Sequence, residues 1–156
     1  MSEQNNHDHK LLTFSALALG AGAAYFATIY KKGKNFLNSI GQSPDTLDRA
    51  VLCKSTTVSY PLPIMKDQKI GAFMGHLKAD FSDFLFEQKQ YDLDIKIIHG
   101  SVHITVPSNV KLNITSRGCL NSIFNDTHCH VSDDEAVLLS VFADIKHGSL
   151  HFETAD

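Results

Sequence analysis

Residues 97–107 read IIHGSVHITVP and residues 145–152 read IKHGSLHF, so the chain writes His-Gly-Ser-aliphatic-His-apolar twice. The parity around the shared glycine decides the fold. Before Gly100 the apolar side chains fall on odd positions (Leu93, Ile95, Ile97), and after it on even ones (Val102, Ile104, Val106). In a strand successive side chains point to opposite faces, so a continuous flat strand would turn half of this apolar set to solvent. One inserted residue restores a single core face, which is what a β-bulge or a solenoid corner supplies. The same flip occurs at Gly148, from Val137, Leu139, Val141, Ala143 and Ile145 to Leu150 and Phe152, and at Gly75, from Ile70, Ala72 and Met74 to Leu77, Ala79 and Phe81. Glycine is expected at such corners because the backbone there calls for positive φ.

Aligning the chain on its glycines gives four copies of one unit: AFMGHLKADF around Gly75, IIHGSVHITV around Gly100, TSRGCLNSIF around Gly118 and IKHGSLHFE around Gly148. An aliphatic residue stands two positions after each (Leu77, Val102, Leu120, Leu150). Gly118 departs in one respect: Val110, Leu112 and Ile114 are even and so is Leu120, with no parity flip, so this turn is built differently. The expected fold is all-β, a β-solenoid-like or sandwich-like repeat domain over 51–156, with structural corners at Gly75, Gly100, Gly118 and Gly148. Pro61, Pro63 and Pro107 suit strand ends, and the polar segment Asn125 to Glu135 reads as an exposed loop.

The amino-terminal third is of another kind. Residues 1–10 lack apolar side chains apart from the initiating Met1 and read as a disordered tail. Residues 11–30, LLTFSALALGAGAAYFATIY, are uncharged throughout. As a helix they reach about 30 Å, the thickness of a hydrocarbon core, which predicts one transmembrane helix in contact with membrane lipid. Ala16, Gly20 and Ala24 recur every four positions, as in close helix packing within lipid. Lys31, Lys32 and Lys34 follow, placing the C-terminal side in the cytoplasm by the positive-inside rule. A signal peptide would carry its charge before the run instead. Residues 31–50 read as a juxtamembrane linker with a short helix carrying Phe36, Leu37 and Ile40, and Ser43-Pro44-Asp45 as a helix start. The protein is thus expected in the cell membrane, single-pass, with its β-domain cytoplasmic. Three cysteines (Cys53, Cys119, Cys129), odd in number and without CxxC spacing, agree with a reducing compartment.

The stretch from Ile70 to Glu153, above all VHITVP at 102–107 and the strand-corner units around it, resembles the C-terminal domain of LiaF-like proteins, the cell-wall-active-antibiotics response family, and the related putative-adhesin β-domains. The resemblance implies a right-handed β-solenoid-like fold without catalytic residues, in bacterial membrane proteins that modulate a histidine-kinase pathway sensing envelope stress. Where family members often carry Phe before the corner glycine, this chain has His99, Arg117 and His147, and it offers one membrane span where LiaF itself has several.

Candidate chemistry is confined to the histidines. His103 and His151 lie on the strand face opposite the core residues, where two imidazoles with a carboxylate suit zinc, and His128 and His130 flank Cys129 beside Asp133 and Asp134. The simpler reading is polar residues on the wet face of a sheet and on a loop. No nucleotide-binding, hydrolase or zincin motif is present, and a net charge of −3 spread along the chain leaves no footprint for nucleic acid. The function expected is that of a membrane-anchored, non-enzymatic module without cofactor that binds a protein partner, itself a membrane protein among the options. The alternatives are a structural or adhesin-like surface module and a histidine-metal protein.

Overall fold

The computed structural model describes residues 23–41, 50–59 and 68–155. Eight strands follow a helix α1 over residues 23–40: β1 (Ala50–Leu52), β2 (Ser55–Ser59), β3 (Gln68–Phe73), β4 (His76–Asp80), β5 (Gln90–Ile98), β6 (Ser101–Val106), β7 (Val110–Asp126) and β8 (Val137–Thr154). Every strand pairing is parallel. The expectation of a β-solenoid-like repeat thus holds: strand, corner, strand makes one L-shaped rung, and rungs lie on one another in register. The register matches like with like, Ile70 on Ile95, Leu77 on Val102, Val102 on Leu150, Ile97 on Ile145.

Rungs are formed by β1/β2, β3/β4 and β5/β6, while β7 and β8 each run through the bend as one strand. The stacking order is β1/β2, β3/β4, β5/β6, β8, β7. The last of the described strands, β8, therefore lies inside the stack and β7 at its edge. Composition gives the reason. β8 presents Val137, Leu139, Val141, Ala143, Ile145, Leu150 and Phe152 to the core, all buried, whereas β7 buries only Val110 and half-buries Leu112, Ile114 and Ile123. Full burial of one such aliphatic or aromatic side chain stabilises by about 1.5–3 kcal/mol, so the more apolar strand gains most from the position flanked on both sides. Phe81, Phe84, Phe86 and Tyr91 pack edge to face, with centroids 4.4–6.1 Å apart, beside this core.

The corner glycines have a different duty from the one expected. Positive φ belongs to the residue before the glycine, Met74 (49°), His99 (53°) and His147 (56°), and to Cys53 (53°) in the first rung. What glycine supplies is room. A Cβ on Gly75 would stand 2.4 Å from the carbonyl oxygen of Lys54, one on Gly100 equally close to that of Gly75, and one on Gly148 equally close to that of Gly100. Each glycine packs its bare Cα against the rung before it. Lys54 occupies the same position in the first rung, where no described rung precedes it, and so it keeps a side chain.

The fourth unit is displaced by three residues. Leu120, expected to face the core, is 77% exposed with φ 51°, and Asn121 lies opposite Gly148 with Ile123 opposite Leu150. LNSI at 120–123 is therefore the counterpart of HGSL at 147–150. Gly118 sits earlier on the strand, opposite Ile145, at φ 126°, where a Cβ would meet the Ile145 oxygen at 1.7 Å. CKST at 53–56 is a further copy, so the rungs number five among the described residues.

The chain divides at Phe36/Leu37 into two compact units. Phe36, Leu37 and Ile40 are buried, in keeping with their helical spacing. The segments expected as tail (1–10), as the greater part of the transmembrane helix (11–22) and as the helix start Ser43-Pro44-Asp45, together with Pro61 and Pro63, lie outside the described residues. Among the described residues no helix is long and apolar enough to cross a membrane.

Candidate functional site: the histidine face and the open rung

Stacking converts sequence repeats into columns one rung apart. Beyond the corner, two neighbouring outward columns run across the rungs: Lys78, His103, His151 and Phe124 in one, and Asp80, Thr105, Glu153 and Asp126 in the other. The imidazoles of His103 and His151 stack with centroids 4.4 Å apart, and Phe124 meets His151 edge to face at 5.9 Å. His103 Nε2 lies 2.9 Å from Glu153 Oε2, and His151 Nε2 lies 2.8 Å from Asp126 Oδ2. The His103 contact is close in distance but off the direction of an aligned ring hydrogen bond.

Glu153 is the hub. It accepts from Thr105 Oγ1 at 2.9 Å, and Lys78 Nζ stands 3.8 Å away. Burial, the largest single influence, pushes its carboxyl upward, but the Thr105 hydroxyl and the His103 and Lys78 charges outweigh it and hold Glu153 below the ordinary glutamate value. Asp80 is also held low, chiefly by hydrogen bonds from Ser82.

The sequence pairs His103 with His151 correctly, and the structure shows why they do not converge. Stacked rings hold their nitrogens in near-parallel planes (28°), each Nε2 turned to a different carboxylate, whereas zinc needs ligand atoms aimed at one point about 2 Å away. His128 and His130 lie on the 127–136 loop with centroids 6.5 Å apart. Among the described residues no group of three or more His, Cys, Asp or Glu is arranged to hold a metal ion. At the corner a second pair, His99 and His147, stacks at 4.9 Å with planes within 5°. This pair shares the left-handed position with Met74 and Cys53.

Two further features have no local signature in the sequence. A groove of about 530 Å3 lies along the outer face before the corner, between Ser39 and Ile40 at the end of α1 and the charged residues Lys69, Asp94, Lys96, Arg117 and Asp144. Lys69 stands 3.7 Å from Asp94 and Arg117 pairs with Asp144 at 3.2 Å, so much of that charge is internally matched, while Lys96 donates to Ser39 Oγ at 3.0 Å. The second is β7 itself. It is 17 residues long and pairs β8 alone among the described strands. Its outward side carries Leu120 (77% exposed) and Phe124 (54% exposed). Strands of globular proteins usually run 3–10 residues, and long unpaired edges are normally shortened, covered or blocked. The signal for this edge is the polarity of 111–126 relative to 137–154, which is legible only once the stacking order is known.

No family model, no curated protein and no solved structure matches this chain.

Proposed function

We propose that this chain is a membrane-tethered, non-enzymatic β-solenoid module that binds a protein partner through its open terminal rung. The observation that carries the reading is β7: a long strand with one edge unpaired among the described strands, flanked by exposed Leu120 and Phe124. Addition of a strand to such an edge supplies main-chain hydrogen bonds for affinity and side-chain contacts for specificity. The tether rests on the uncharged run 11–30 and the lysines after it, with the domain in the cytoplasm. Regulation of an envelope-stress pathway is the setting that the LiaF-like resemblance favours.

All three cysteines are exposed, which makes the topology measurable. A thiol reagent that does not cross membranes should leave Cys53, Cys119 and Cys129 unmodified in intact cells and label them after permeabilisation. Labelling in intact cells removes the cytoplasmic partner and favours the adhesin-like surface module. Photo-crosslinkers placed at Leu120 and Phe124 in native membranes should capture a protein. Capture from a probe at Thr57, on the opposite end rung, and not from these two would refute binding at β7.

A further inference from the structure

We infer that the groove beside the end of α1 is a binding site for a small monoanion, a carboxylate joined to an apolar group. The inference goes beyond strand addition at β7 and does not depend on it.

Register lays out the charge in this groove. On the outer face before the corner one column runs from Lys69 through Asp94 to Phe142, and the next runs from Lys96 through Asp144 to Arg117. Neighbours in a column stand one strand apart, so cations and carboxylates fall side by side. Lys69 lies 3.7 Å from Asp94, and Arg117 lies 3.2 Å from Asp144. Those four charges answer one another, and Lys96 is the remainder. Its Nζ donates to the neutral Ser39 Oγ at 3.0 Å, and among the described residues no carboxylate comes within ion-pair reach of it.

The groove, of about 530 Å3, thus holds one cation more than it has carboxylates, and its volume lies in the range of small-molecule sites. Beside the surplus charge stands an apolar ring: Phe142 points outward and is 49% exposed. Strand geometry sets the size of what would join the two. Phe142 and Asp144 are two residues apart along β8, and Asp144 faces Lys96, so the backbone positions of Lys96 and Phe142 lie about 8 Å apart on the diagonal. An acid whose carboxylate is separated from a ring by two methylenes spans that distance once the contact to Lys96 is added. Its carboxylate accepts from Lys96 Nζ and its ring lies against Phe142. The carboxylates already present decide the charge. A phosphate monoester carries about two negative charges near neutral pH, more than the surplus balances, and Asp94 and Asp144 repel the second.

A free acid and the C-terminal residue of a peptide share this chemistry, and the test separates them. The probe is para-fluorophenylpropionate, followed by fluorine NMR line width with the full chain in neutral-lipid nanodiscs and empty nanodiscs as the blank. Broadening above the blank should saturate with a Kd of about 1 mM or below. Lys96→Gln should weaken binding about tenfold or more, and the uncharged amide of the same probe should bind wild type about tenfold less well. Lys96→Arg keeps the charge and should retain most of the affinity, whereas Phe142→Ser should lose about threefold or more. Phenyl phosphate should compete less well than phenylpropionate. Stronger competition by N-acetyl-Gly-Phe than by phenylpropionate assigns the groove to a peptide C-terminus, and the reverse order assigns it to a free acid. No broadening above the blank at about 10 mM probe, or equal binding of acid and amide, overturns the inference. So does unchanged binding by a Lys96→Gln protein that melts like the wild type. Crosslinking at Leu120 and Phe124 reads the β7 edge separately, so failure at one place does not decide the other.

Discussion

Replacing Gly100 with alanine isolates the steric role of the corner glycines. The added Cβ would stand 2.4 Å from the Gly75 oxygen and 3.1 Å from its nitrogen, and both obstacles are backbone. Ordinary carbon contacts begin near 3.5 Å, so the rungs must part locally by roughly 1 Å. The neighbouring hydrogen bonds, Ser101 N to Gly75 O at 3.0 Å and Met74 N to Ile98 O at 2.8 Å, would then lengthen toward 4 Å, outside bonding range. Two lost bonds at about 1 kcal/mol each, with about 1–3 kcal/mol for overpacking, give about 3–5 kcal/mol. For a domain of this size that lowers the melting temperature by about 12 °C at the least, measured by far-UV circular dichroism. Lys54→Ala, at the corresponding place in the first rung, should change it by less than about 2 °C, as surface substitutions do. A Gly100→Ala protein melting within about 3 °C of wild type would refute the claim that close approach, rather than backbone freedom, selects glycine there.

Three other outcomes follow from the same structure. Leu120→Gly should stabilise by about 0.5–1 kcal/mol in urea unfolding, because an exposed side chain at φ 51° carries left-handed strain that exceeds the extra unfolded-state freedom of glycine. Gly118→Ala, at φ 126° and 1.7 Å from the Ile145 oxygen, should detach the edge strand, read as faster amide hydrogen exchange across 110–126 with β3 to β6 protected as before. Glu153 is held below its ordinary pKa, so its contribution to stability is complete above the unfolded glutamate value and is lost as pH falls through the lower folded value; Glu153→Gln should flatten that part of the acid limb while Asp80 keeps the remainder.

The parity flips around Gly75, Gly100 and Gly148 carry the repeat, the inward residues and the corners, because a period-two pattern reset by one residue leaves no flat strand that buries all of its apolar side chains. They do not carry the order of the rungs. Order depends on which strand gains most from two neighbours, a comparison between β7 and β8 that no local window contains. The displaced unit at LNSI is hidden for a related reason: Gly118 attracts the alignment, yet Asn121 holds the corner position opposite Gly148 although β8 lies before it, so the residue that marks the corner elsewhere marks a different close approach here. For the histidines, spacing places His103 beside His151, but only the stacking of rings and the separate carboxylates decide what two neighbouring imidazoles can do.

The inserted position of β8 also constrains assembly in time. From Val106 the chain turns through Pro107, Ser108 and Asn109 into β7, yet β6 and β7 do not pair; the slot between them is filled by a segment that lies further along the chain. During synthesis the earlier rungs emerge first, with β5, β6 and β7 all lacking the strand that each will pair. β7 has no partner at all among the described strands until β8 arrives. A vectorially made chain of this design therefore cannot settle its sheet rung by rung. It must hold a gap open, exposed to other strands, until that later-made segment closes it, which makes the nascent chain a natural client for chaperones that cover unpaired edges.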